Sequence, residues 1–149
     1  MNISVSRSPS VGSVVLFTAL ILSNPGVLAS KLEAPESLAI AITIDAKNLI
    51  ELYQSTNDLK IIDSRYREDY TQGYIETSYN LPLAKTDCES LAKLAESKDQ
   101  AMVFYCNGNL ADASISALQI ASACGYKRLF WFRGGFVEWE DKDYPYLIE

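Results

Sequence analysis

The chain contains no histidine. That excludes Ser-His-Asp and Cys-His nucleophile pairs and imidazole-based metal sites, since the imidazole is the base or the ligand in each. Cysteine is scarce: Cys88, Cys106 and Cys124 are the full set, and no two stand at C-x-x-C spacing. Zinc-ribbon and thioredoxin motifs are therefore absent. Three thiols cannot all pair within one chain, so at least one is free or bonded outside it. Basic residues are outnumbered, 13 against 19 acids, for a net charge of −6. This balance lacks the electrostatic footprint of a nucleic-acid binder and the polybasic patch of a membrane-surface binder.

Charge is nearly missing from the first 29 residues, which carry only Arg7. The apolar stretch from Val11 to Ser23 is short for a spanning helix, which needs roughly 20 residues. It fits the hydrophobic region of a secretory signal, broken by Asn24, Pro25 and Gly26 and followed by Val27 and Ala29 at small-residue positions. Cleavage is expected between Ala29 and Ser30, leaving about 120 residues with 12 basic residues against 19 acids, a net charge of −7. The product would be periplasmic or secreted, without stable membrane insertion; the alternative is an uncleaved anchor. An exported protein meets an oxidising compartment, where cysteines usually pair.

The 149 residues suggest one domain. Residues 30–41 read as a spacer and residues 42–147 as the domain. Within it, short apolar runs alternate with helical patterns. "AITI" leads into Asp45, a good N-cap, and Ala46, Leu49, Ile50 and Tyr53 follow at helical spacing. "LKIID" is a strand ending at Asp63, "YREDYTQG" a short helix stopped by Gly73, and "SYNLPL" a strand-like piece limited by Pro82. "DCESLAKLAES" is helical, "AMVFYC" a buried strand, "ASISALQIASAC" a helix with Gly125 at C′, "KRLFWF" a strand and "GGFVEWE" a closing helix. Such alternation predicts an α/β domain with a mostly parallel sheet and helices on both faces. Ligands of such sheets bind beyond the carboxyl ends of the strands. Asp63-Ser64-Arg65, the run from Cys106 to Asp112, and Arg133-Gly134-Gly135 all fall at such ends.

Cys106 closes an apolar strand just before a helix, where backbone N–H groups and the helix dipole favour an anion. Asn107, Gly108 and Asn109 suit a chain that curls its amides round one atom. The expectation is a thiol that ionises more readily than a free one, activated by amides rather than by a base. The alternative is a small residue packed in the core. Packing is the expectation for Cys124, beside Ala121 and Ala123, and Cys88 has no assignable role.

The wider pattern resembles rhodanese-like domains. "IIDSRYREDYTQGYIETSYNLPL" is similar to their opening signature through Asp63, Arg65, Tyr70, Gly73, Ile75, Asn80 and Pro82. "VFYCNGNLADAS" is similar to their active-site segment, with Ser114 downstream. "GYKRLFWFRGGFVEWEDKDYPY" is similar to their C-terminal signature through Gly125, Tyr126, Gly134, Gly135, Trp139 and Pro145. The resemblance implies a five-stranded α/β fold and sulfurtransferase chemistry without a cofactor or metal. Cys106 would take sulfur from thiosulfate or a persulfide, hold it as a persulfide and pass it to cyanide, a thiol or a protein partner. Asn107, Gly108, Asn109, Leu110, Ala111 and Asp112 would surround that sulfur. Arg65 would pair with Asp63 or face the anionic donor, and Arg133, Gly134 and Gly135 would support the site.

There are departures. Tyr74 stands where the family usually has His, and Glu76-Thr77 where Pro-Gly is common. Ala111 occupies a position where related loops often carry a second cysteine. The loop has no Arg or Lys and closes on Asp112, which disfavours a thiosulfate dianion and favours a neutral or protein-borne donor. An acid six residues after the cysteine also speaks against phosphatase or arsenate-reductase chemistry, which needs an Arg fork there. The remaining alternative is a non-catalytic module that binds a partner or carries sulfur passively.

Overall fold

The computed structural model describes residues 34–108 and 112–149. The expected signal segment and its cleavage point lie outside the described residues, as do Asn109, Leu110 and Ala111. The strands are β1 (Ile42–Ile44), β2 (Lys60–Asp63), β3 (Ser78–Asn80), β4 (Ala101–Tyr105) and β5 (Arg128–Phe132). The helices are α1 (Ala46–Ser55), α2 (Arg67–Gln72), α3 (Cys88–Leu94), α4 (Ala113–Ala123) and α5 (Gly135–Asp141), with a 3₁₀ turn at Leu83–Lys85.

Local chemistry sets the boundaries. The Asp45 carboxylate accepts from the Asn48 N–H at 2.7 Å and starts α1. Asp87 and Ser90 form a reciprocal capping box at α3. Gly125, at φ +89°, ends α4, and its N–H donates to the Ser122 carbonyl at 2.9 Å.

The strands form one parallel sheet in the order β1-β5-β4-β2-β3. β4 lies at its centre with all five residues buried, so an unbroken apolar run is what that position requires. One face carries Ile62, Met102, Phe104 and Trp131 against Leu91 of α3 and Leu118 of α4. The other carries Ile61, Val103, Tyr105 and Phe132 against Leu49 of α1 and Trp139 of α5. Helices cover both faces, as the alternation predicts. Among the described residues no helix is long and apolar enough to cross a membrane.

In the described part of the segment read as a spacer, Ala34 is buried, and Arg133 donates to the Ala34 and Pro35 carbonyls at 2.9 and 2.8 Å. The expectations for two of the cysteines need correction. Cys124 does not simply pack, nor is Cys88 idle, because the two form a disulfide. The N-terminus of α3 and the C-terminus of α4 meet on one face and bring the Cα atoms within 5.5 Å, a separation that a disulfide spans.

Candidate active site

Cys106 is the one free cysteine, buried directly after the central strand. Strand alternation puts its side chain on the face of α4. The backbone N–H groups of Asn107 and of Ser114, in the first turn of α4, donate towards its sulfur. Burial pushes the thiol above its ordinary pKa. The Asn107 and Ser114 amides and the charge of Arg65 favour the thiolate, while that of Asp63 disfavours it. The net direction is upward, so the expected easy ionisation is corrected: the cost of desolvating a thiolate exceeds what these donors return.

Asp63 and Arg65 form a buried ion pair on the opposite face. Arg65 Nη2 lies 2.5 Å from Asp63 Oδ2, with side-chain exposures of 3% and 0%. Arg65 Nε reaches both carboxylate oxygens at 3.0 Å, and Nη2 also donates to the Gly73 carbonyl at 2.7 Å. The guanidinium lies over the Phe136 ring, 4.2 Å from its centre. Burial works against the charge, but the hydrogen bond and charge of Asp63 outweigh it and hold Arg65 above its ordinary value. Of its two foreseen roles, Arg65 takes the pairing one. Its contacts tie β2 to the end of α2.

The third stretch braces the loop from behind. Phe136 N–H donates to the Cys106 carbonyl at 2.8 Å, and Val137 N–H to that of Asn107 at 3.0 Å. Gly135 has φ +59°, and a Cβ there would run into the Cys106 carbonyl oxygen. Only glycine fits on both counts. Gly134 adjoins it, and its carbonyl oxygen would lie 3.3 Å from a Cβ at Gly108. Arg133 is turned to the N-terminal segment, as described above. Asn107 is exposed and its Nδ2 donates to Asp69 Oδ2 at 3.4 Å. Asp112 is exposed at the start of α4 and makes no side-chain cap.

The described parts of the three stretches therefore meet at one end of the sheet. Two supports were not foreseen in detail. Asn80 Nδ2 donates to the Arg65 carbonyl at 3.0 Å, bracing the turn after β2. Ser114 Oγ accepts from Trp131 Nε1 at 3.1 Å, anchoring the first turn of α4 to β5. Both residues stand in the quoted motifs, but nothing local names their partners.

The family model described as the rhodanese-like domain matches residues 45–142. The chain belongs to the rhodanese-like domain family. This rhodanese-like domain is 33% identical over 94 residues to a protein of Schizosaccharomyces pombe named "Putative thiosulfate sulfurtransferase, mitochondrial". The shared stretch covers 55% of this chain and 63% of that relative, so it spans less than two thirds of the relative's length. Among solved structures, a Bacillus halodurans protein aligns with TM-score 0.65 at 21% identity, covering 72% of this chain and 77% of its own. A thiosulfate sulfurtransferase from Pseudomonas aeruginosa aligns at 0.63 and 18% identity, covering 72% of this chain and 20% of that one. An E. coli rhodanese determined with anions aligns at 0.51 and 27% identity, covering 61% and 99%. The first two of these likenesses bear on the fold alone.

Proposed function

We propose that this rhodanese-like domain is a sulfurtransferase that carries sulfane sulfur on Cys106. The observation that supports it most is a free cysteine at the end of the central strand, with the Asn107 and Ser114 amides donating to its sulfur. The Cys106 thiol first loses its proton to solvent. The thiolate then attacks the outer sulfur of a donor persulfide or of thiosulfate. A Cys106 S–S bond forms as the donor's own S–S bond breaks, and the donor leaves as a thiolate or as sulfite. A second thiolate, or cyanide, takes the outer sulfur and restores the Cys106 thiolate. The anionic outer sulfur would sit among the amides near the positive end of α4.

The donor is better read as a neutral or protein-borne persulfide than as free thiosulfate, because exposed Asp112 opens α4 where a dianion would approach. The domain is further read as exported, with residues 1–29 removed; the Cys88–Cys124 disulfide supports an oxidising compartment.

Intact mass after incubation with thiosulfate or polysulfide tests the chemistry. One added sulfur atom should appear in the wild type and in the Cys88→Ser and Cys124→Ser variants, and not in Cys106→Ser. Loading without turnover to cyanide or a thiol would favour a passive carrier. No loading with any donor would leave a binding module.

A further inference from the structure

We propose that the Ser64 hydroxyl holds the outer sulfur of a Cys106 persulfide, an inference that rests on the sulfurtransferase reading above. Among the described residues, only two buried side-chain polar atoms lack a hydrogen-bond partner, Thr43 Oγ1 and Ser64 Oγ. Thr43 lies on β1 at the edge of the sheet. Ser64 is 2% exposed and directly follows β2, the neighbour of the central strand. A buried hydroxyl with no partner is costly to a fold and calls for a reason.

Its position supplies one. Asp63 pairs with Tyr105, and the Ser64 N–H donates to the Tyr105 carbonyl at 2.9 Å, so the ladder runs on to place Ser64 beside Cys106. Ile62 and Phe104, one step of the pleat earlier, both pack in the core under α3 and α4. Alternation therefore sends the Ser64 and Cys106 side chains to that same face. The Ser114 amide of α4 reaching the Cys106 sulfur agrees with this direction. The hydroxyl makes no hydrogen bond to the thiol itself. Adjacent strands lie about 4.8 Å apart, and a persulfide extends the side chain by about 2.05 Å. The added sulfur brings a charged acceptor to a donor that is otherwise idle. Ser114 differs, because its Oγ already accepts from Trp131. The bond would favour persulfide over thiol and orient the outer sulfur for transfer, so the idle donor in the resting site is kept for the loaded one.

The test compares wild type, Ser64→Ala and Ser64→Thr before and after loading with glutathione persulfide. Resting Ser64→Ala should melt at or above the wild-type temperature, because it removes an unpaired hydroxyl. It should still load on Cys106, yet its persulfide should be about tenfold shorter-lived, the equivalent of one hydrogen bond to a charged acceptor. The rise in melting temperature on loading, expected in the wild type, should shrink in Ser64→Ala and return at least in part in Ser64→Thr. Wild-type lifetime and melting shift in Ser64→Ala would overturn the inference and leave the sulfurtransferase reading intact. A Ser64→Ala protein that melts lower at rest, or fails to fold, would make the hydroxyl structural and overturn it too. A wild type that accepts no sulfur would overturn both.

Discussion

At the scale of single residues, the site sets burial against charge, and the outcome differs at its two ionisable centres. For Cys106 burial wins. Alkylation by iodoacetamide should therefore climb with pH through the ordinary thiol range, about 8.5, and go on climbing beyond it, because only the thiolate reacts. A plateau reached below that range would mean that the amides control the thiol. For Arg65 the partner wins, and the cost appears when the pair is broken. Arg65→Ala strands Asp63, whose side chain is fully buried, and should lower stability by about 3–5 kcal/mol in urea unfolding. A loss under 1 kcal/mol would place the pair in a wetter setting than its burial indicates. Cys106 was legible as a residue to watch because it closes an apolar run before a helix. Its ionisation was not, since desolvation depends on neighbours from three distant stretches. Ser64 stood in a quoted motif as well, but its unpaired state is visible only once every possible partner has been placed.

At the scale of elements, β2, β4 and β5 were legible because each is an apolar run bounded by turn or cap residues, and Asp45, Gly73 and Gly125 punctuate the helices at the observed ends. The joins between elements were less so. Nothing in "VLASKLEAPESL" tells that Ala34 will be capped by an arginine nearly a hundred residues later, and the disulfide depends on which two helices share a face. The turn into α5 shows how strict such a join can be. Gly135 combines a positive φ with backbone contact to Cys106 and Gly108. Gly135→Ala should cost at least about 2 kcal/mol, the sum of left-handed strain and a clash that backbone atoms cannot relieve. It should also displace Cys106 and slow sulfur uptake. Unchanged stability and uptake in that variant would mean that the α5 turn can shift without disturbing the site.

At the scale of the whole molecule, the Cys88–Cys124 bond closes a loop of 36 residues that contains β4, Cys106 and α4. By loop closure alone it should contribute about 4 kcal/mol. Cys88→Ser should lower the urea midpoint accordingly, and dithiothreitol should have no further effect on that variant. Equal midpoints for the variant and the oxidised protein would place the constraint elsewhere. Sheet order carries a separate consequence, for the moment of synthesis. β1 pairs only with β5, so the first strand of the domain waits for the last. A chain emerging from the ribosome can bring β2, β3 and β4 together early, but the far edge of β4 stays bare until Arg128–Phe132 arrives. Completion of the sheet is thus a late event that closes over a long sequence separation. A topology that joins its first strand to its last therefore cannot complete its sheet while the chain is still being made.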